Sequence, residues 1–503
     1  MIASAVTSPA GTLLQSFFSH RLFSLGFWAI DVILLVAIVG VVIVLATDDR
    51  DPSIVLAWLF VVLLLPVLGL VAYFFIGRNF RRDSPWRRKA VAQMEAVAAE
   101  SLAPVEAANT EFTREAVNDL AATPGARIES VGSVEGGVSP LPADTVEVYT
   151  AGAQKFPALL DEMAAAERYI HLMYLIWEQD ELTARVTDVL LDRLAAGVKV
   201  HILYDWLSCL PYRKDELKRL AAAGALVRPC YKHLRQINYR NHMKMVIVDG
   251  RSVYSGGMNM GQEYIDGGPR FDVWRDTSFR LSGPAVAPYL MLFASTWLYT
   301  GGKEDLATDF MPPATEHHRH EGTPVQVLHS SVMTTFKTIR DVFITALTNA
   351  RERVWIQSPY FVPDEPLMTA MCTAAAGGVD VRFMMTGVPD KKIPFYAAHA
   401  YYPQLLRAEV KVYQYKAGFL HAKTVTVDDQ VSIIGTCNWD IRSIILHDEV
   451  VAVIYDRGVT AAHAAQYERD IGACARIGWD DLAGLSHREK FRNSVYRLFS
   501  RLL

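Results

Sequence analysis

The sequence predicts an α/β fold of two pseudo-symmetric halves, each a mixed, largely parallel sheet covered by helices, behind an N-terminal two-helix transmembrane hairpin. Three observations carry this prediction. Two long apolar runs stand near the start of the chain, strands and helices alternate after residue 141, and a block of polar residues recurs 179 positions later in the same order. At 503 residues the chain has room for two or three domains or one duplicated body. Hydrophobic residues make up 51% and charged ones 21%. That composition excludes a disordered, collagen-like or disulfide-scaffold protein. With 50 Lys and Arg and 54 Asp and Glu, a many-span transporter is not expected either.

After a short N-terminal segment (residues 1–21), the hairpin is expected over 22–77. Residues 22–46 hold one charge, Asp31, and residues 54–76 hold none. A helix of that length reaches about 35 Å, enough for a hydrocarbon core of roughly 30 Å. Pro66 is expected to kink the second helix. The connector carries Asp48, Asp49 and Asp51 against Arg50. Arg78, Arg81, Arg82, Arg87, Arg88 and Lys89 follow the second span, opposed by Asp83. Cationic flanks stay on the cytoplasmic side, so both termini and the body are expected there.

A basic collar and helical linker occupy 78–140, with Gly, Ser and Pro concentrated over 124–142. The first half spans 141–310. Its strands are predicted at 146–149, 169–176, 198–205 and 225–231, with helices reaching 167, 196 and 223 between them. A linker at 311–324 carries His317, His318 and His320, whose irregular spacing fits a solvated joint better than a metal site. The second half, 325–503, repeats the first, and residues 376–384 resemble 195–203. It ends in an amphipathic helix with Phe491, Val495, Leu498 and Leu502 on one face, suited to packing on the body or lying on anionic lipid. Residues 390–402, basic and then aromatic, suit either a lipid-facing lid or an ordinary surface helix. Cys209, Cys230, Cys372, Cys437 and Cys474 form no CxxC pair and read as reduced thiols.

The chemistry resides in the recurring block. His242-Met-Lys244-Met-Val-Ile-Val-Asp249 precedes Gly256-Gly257-Met-Asn259, and His421-Ala-Lys423-Thr-Val-Thr-Val-Asp428 precedes Gly435-Thr436-Cys-Asn438. One His-x-Lys-xxxx-Asp arises by chance at roughly one position in ten thousand. On a strand, residues i and i+2 share a face, so each histidine projects beside its lysine. Structural core histidines would leave the duplicated lysine unexplained, since lysine is rarely buried without an anion. Lys244, Lys423, Asn259 and Asn438 are therefore candidate phosphate-binding groups. His242 and His421 can divide attack on phosphorus from protonation of the leaving oxygen. Asp276 and Glu449, each entering an apolar strand, are candidates for orienting the imidazoles. Asp249 and Asp428 complete the expected catalytic set, although their position seven residues on suits fixing a turn or pairing with a base. The positive charge is built in, so no metal or cofactor is expected.

These features resemble the phospholipase D superfamily, whose signature is a doubled HxKxxxxD. More narrowly, residues 57–79, 238–264, 358–364, 418–423 and 438–443 are similar to bacterial cardiolipin synthases of that type. The resemblance implies two phospholipase D-like halves in a bacterial cell-membrane enzyme with two spans. It implies transfer of a phosphatidyl group from one phosphatidylglycerol to another through a phosphohistidine, with His242 as nucleophile and His421 as general acid. Met243 stands where the family usually has arginine, which removes a charge available to a headgroup, and Gln262 where aspartate is common. The expected partners are a phospholipid substrate and a membrane; a net charge of −4 gives no reason to expect nucleic acid. The competing readings are a phospholipase D hydrolase releasing phosphatidic acid, a nuclease of the same superfamily and a silent membrane scaffold.

Overall fold

In the computed structural model the described residues are 28, 32–47, 52–77, 85–233, 236–303 and 321–500. The N-terminal segment, much of the basic collar and the linker histidines His317, His318 and His320 lie outside them. The chain divides into two compact units, Met1–Arg82 and Asp83–Leu503.

In the first unit, residues 32–46 are helical. The second apolar run is interrupted at Pro66, where a kink is expected, and the interruption is a full break in the helix. The run forms Pro52–Leu64, breaks at Leu65 and resumes as Pro66–Ala72, followed by a π-helical turn at Tyr73–Gly77. Proline lacks an amide donor and its ring clashes with the preceding turn, which accounts for the break. The longer piece has 13 residues, about 20 Å of helix. No helix among the described residues is long and apolar enough to cross a membrane. Leu45, Trp58, Val62 and Tyr73 form a small core, while Val36, Ile43, Leu56, Phe60, Leu63 and Leu68 are exposed.

The second unit holds two large sheets. The first runs Thr145–Tyr149, Ser278–Ser282, Ser252–Gly256, Met245–Val248, Tyr169–Tyr174, Lys199–Asp205, Leu226–Cys230. The second runs Leu141–Ala143, Thr323–Ser330, His447–Ile454, Val431–Gly435, Thr424–Val427, Arg353–Gln357, Asp380–Thr386, Lys411–Tyr415, Cys474–Ile477. Both are mixed, but the expectation of largely parallel sheets fails. Along each strand order two neighbouring pairings are parallel and the rest antiparallel, and the second sheet takes one more parallel partner off that order, Arg240–Asn241 on His447–Ile454. The cause is local. The helical crossovers at Glu181–Ala195 and Glu365–Ala376 permit parallel neighbours, whereas each HxK strand turns straight back on itself. Asp249 at φ 54° and Gly250 at φ 72° form a type I′ turn closed by Arg251 N–H to the Val248 carbonyl at 3.0 Å, which dictates a hairpin.

The predicted strands and helices of the first half appear within a few residues of their expected ends. Their inward faces build one core around Phe156, Leu172, Val186 and Ile202, and the second half builds another around Phe343, Ile356, Phe383 and Val425. The Gly- and Ser-containing stretch near 124–142 is more ordered than its composition suggests. It forms the helix Gly125–Gly136, burying Ile128, Glu129 and Gly132, and is tied down by the Gln326 amide donating to the Glu129 and Val138 carbonyls at 3.1 and 2.8 Å. Leu141–Ala143 then joins the second half's sheet, so the opening strand of the segment expected to form the first half, 141–310, belongs to the other one.

The C-terminal helix His487–Ser500 packs on Lys392–His399 through Tyr496, whose ring lies 5.5 Å from that of Tyr396. Arg492 covers the Tyr396 ring and Arg497 the Tyr401 ring. The stripe expected to pack is not the one used, because Phe491 and Leu498 are exposed. All five cysteines are free.

Candidate active site

The two halves exchange strand tips. Arg240–Asn241, just before His242, pairs in parallel with His447 and Asp448 of the second half. Phe419–Leu420, just before His421, pairs in parallel with Trp274 and Arg275 of the first. The His242 amide donates to the Asp448 carbonyl at 3.0 Å and the His421 amide to the Arg275 carbonyl at 2.7 Å. One residue further along each of those partner strands stands a carboxylate. Each histidine is thus clamped by backbone from one half and oriented by an acid from the other. Nδ1 of His242 lies 2.8 and 2.9 Å from the two Glu449 oxygens, and Nδ1 of His421 lies 2.7 Å from Asp276 Oδ2.

Both acids are fully buried. Burial alone would raise the Asp276 carboxyl, but Lys423 and His421 outweigh it and hold Asp276 ionised below its usual value. The Thr277 amide donates to its other oxygen at 2.7 Å. Gly257 leaves the room, because a Cβ there would collide with the Asp276 carboxylate. At the equivalent position of the second half stands Thr436, whose hydroxyl donates to Glu449. A carboxylate accepts only, so each Nδ1 carries the proton and each Nε2 keeps its lone pair.

The lysines sit beside the imidazoles as the strand period requires. Lys244 Nζ donates to the His242 carbonyl at 2.7 Å and Lys423 Nζ to the His421 carbonyl. Burial pushes Lys244 down to about 7 and Lys423 down to about 8, with Glu449 and Asp276 opposing the shifts. Burial, then Lys423, pushes His421 down to about 4, and burial with Lys244 and Lys423 holds His242 well below its ordinary value. A pocket that discourages protons on four basic groups is a pocket short of an anion. An entering phosphate diester reverses these penalties.

Asn259 and Asn438 are buried, their amides donating to Tyr264 Oη at 3.0 Å and Ser443 Oγ at 3.2 Å, each with its carbonyl oxygen unpaired. Tyr264 Oη in turn lies 3.5 Å from His421 Nδ1. Asp249 and Asp428, expected in the catalytic set, are not brought to the imidazoles. Seven residues of extended chain carry them roughly 20 Å along the strand. There Asp249 accepts from the Glu167, Arg168 and Tyr169 amides, and Asp428 from those of Arg351, Glu352 and Arg353. Met243 is 3% exposed and lines a small cavity with Tyr231, Leu292 and Met333.

Three neighbours escaped the sequence reading. Lys155, buried on the helix Gly152–Ala164, is pushed down to about 7 by burial, with Asp276 opposing. Its signal was a lysine on an otherwise apolar helix face beside Phe156, Leu159 and Leu160. Thr436 stood within the quoted motif without a role. His447 lies two residues before Glu449, its ring 5.5 Å from that of His242. Among residues 390–402, Phe395, Tyr401 and Tyr402 are buried in the second half's core, which favours a packed helix over a lid.

Comparison with known proteins agrees with this geometry. The family profile described as "Cardiolipin synthase, PLD-like domain" matches residues 159–267 and 343–471, and "Phospholipase_D-nuclease N-terminal" matches 29–78. A cardiolipin synthase of Geobacillus kaustophilus is 32% identical over 95% of this chain and 96% of its own length. The major cardiolipin synthase of Bacillus subtilis is 33% identical over 92% of this chain and 96% of its own. In fold, a phosphatidylserine synthase of Haemophilus influenzae superposes with a TM-score of 0.57 at 14% identity, covering 75% of this chain and 98% of that one. With relatives this similar along almost its whole length, and two oriented His–Lys pairs in one pocket, the chain belongs to the phospholipase D-like cardiolipin synthase family.

Proposed function

We propose that this protein transfers a phosphatidyl group from one phosphatidylglycerol to another, giving cardiolipin and glycerol. The observation that carries the reading is the reciprocal clamp, in which each imidazole is held by the other half's carboxylate and both lysines interact with both of those acids. His242 Nε2 attacks phosphorus and the bond to the glycerol oxygen breaks. His421, protonated once the diester anion is bound, gives its Nε2 proton to that oxygen. Glycerol leaves a phosphohistidine. His421 then takes the proton from a hydroxyl of the second phosphatidylglycerol, whose oxygen displaces His242 from phosphorus. Lys244 and Lys423 carry positive charge toward the non-bridging oxygens, and Asn259 and Asn438 contribute amide donors if rotated toward the ligand. The protein's own cations supply the charge stabilisation, and activity in EDTA is expected to persist. Asp249 and Asp428 serve by fixing the hairpin that holds each HxK strand.

In this reading the first unit is a two-span hairpin in a bacterial cell membrane, with the catalytic body on the cytoplasmic side. Its support is the exposed apolar surface of residues 32–46 and 52–72, the acidic connector and the cationic residues that follow. The deciding experiment is incubation of the purified protein with phosphatidylglycerol alone, followed by separation of the lipids. Cardiolipin with an equivalent of glycerol is expected. Phosphatidic acid without cardiolipin would replace this reading with hydrolysis, water taking the place of the second lipid.

A further inference from the structure

We propose that His242, His447 and Glu449 form a chelating site for a borderline divalent transition-metal ion such as zinc, and that its occupation reversibly switches the transferase off. The site begins with unsatisfied atoms. Glu449 is fully buried, and its Oε2 accepts from Thr436 and meets His242 Nδ1, while its Oε1 has only the 2.8 Å approach of the same Nδ1, which makes no well-aligned hydrogen bond to it. Neither ring nitrogen of His447 is hydrogen-bonded, although the side chain is only 12% exposed. Each such buried polar atom carries a desolvation cost unless something meets it.

The spacing indicates what would meet them. His447 Nδ1 lies 3.6 Å from Glu449 Oε1, too far for a hydrogen bond. Two ligands on a tetrahedral ion with bonds of about 2.0–2.1 Å stand roughly 3.4 Å apart. His242 Nδ1 is 2.8 Å from the same oxygen, so it needs to move by several tenths of an ångström. All three ligand atoms lie within 4.8 Å of one another. Two imidazoles and one carboxylate form a donor set that zinc uses, and imidazole selects zinc, copper, nickel or cobalt over magnesium and calcium.

The equivalent position beside His421 holds no such ligand. Trp274 occupies the position two residues before Asp276, its ring 6.1 Å from that of His421. Metal capture is therefore one-sided. It takes the histidine proposed to attack and the acid that orients it, which is why occupation stops transfer; that consequence rests on the mechanism above, whereas the site does not.

The test uses the full-length protein in detergent, first with cobalt(II) alone and then with phosphatidylglycerol across a series of buffered free zinc concentrations. Cobalt is expected to give a saturable visible spectrum of low coordination number, which zinc displaces. Zinc over the same range is expected to halt cardiolipin formation, and EDTA to restore it. In His447→Asn and, independently, His447→Trp, the cobalt spectrum is lost and half-inhibition needs at least tenfold more zinc, each variant measured against its own metal-free rate. A wild-type protein without a saturable cobalt spectrum, or variants with unchanged spectrum and zinc sensitivity, would overturn the proposal. A protein that makes no cardiolipin fails the functional reading, yet the cobalt spectrum still decides the site.

Discussion

Replacing Glu449 with glutamine isolates the part of the site that joins the two halves. The substitution keeps the volume and removes the charge from a group with no exposure, 2.8–2.9 Å from His242 Nδ1. As an acceptor-only group, the carboxylate leaves Nε2 free for phosphorus. A glutamine amide turned toward Nδ1 donates instead, moves the ring proton to Nε2 and blocks attack. The equivalent aspartate-to-asparagine change in serine-protease triads lowers kcat about 10⁴-fold for this reason. Lys244 and Lys423 still face the phosphate in the variant, so substrate binding is largely spared. We therefore expect Glu449→Gln to lower kcat by about 10³–10⁴-fold, a barrier increase of about 4–5.5 kcal/mol at 1.36 kcal/mol per tenfold, with KM changed less than about threefold. Thr436→Val removes one donor from the same carboxylate, a hydrogen bond worth about 1–1.5 kcal/mol, and should cost roughly tenfold. The assay is the initial rate of cardiolipin formation from labelled phosphatidylglycerol in mixed micelles, on protein whose unfolding midpoint matches wild type. A loss in kcat under tenfold, or one confined to KM, would refute the orienting role.

Two further outcomes follow from the same geometry. Asp249→Asn weakens three amide contacts of 2.7–3.0 Å at the foot of the HxK strand, so it should cost roughly 2–3 kcal/mol of stability while kcat stays within about threefold. Thermal unfolding beside turnover checks this, and a hundredfold loss of kcat at unchanged unfolding temperature would contradict it. At pH 8.5 the free site should hold Lys244 and Lys423 largely neutral, since their values of about 7 and about 8 lie below that pH. Binding a soluble phosphodiester headgroup restores both charges, so titration calorimetry in buffers of differing ionisation enthalpy should report an uptake of roughly one to two protons. No uptake at pH 8.5 would show the lysines already charged.

What was legible in the chain, and what was not, follows the range of the interaction concerned. The HxK register, the hairpin-closing aspartates and most first-half elements are local, set by a period of two or by turn chemistry, and they stand where the residues put them. Alternation of strands and helices predicts parallel neighbours, but the Asp249-Gly250 turn, which is equally local, folds the strand back on itself and sets the direction. The helix Gly125–Gly136 was obscured by glycine and serine, whose poor intrinsic propensity is overridden by packing and by Gln326, a residue almost two hundred positions away. The pairing of His242 with Glu449 and of His421 with Asp276 lies beyond any local signal. Duplication announces two equivalent sets, but spacing cannot say whether an acid serves its own half or the other, and the strand exchange decides for the other. The same exchange makes small departures from symmetry consequential. Gly257 against Thr436 and Trp274 against His447 are unremarkable substitutions within one repeat. Across the shared pocket they place a hydroxyl and a free imidazole around one carboxylate and neither around its counterpart. The two histidines therefore sit in unequal surroundings, and a reaction that gives one imidazole to phosphorus and the other to the proton needs that inequality.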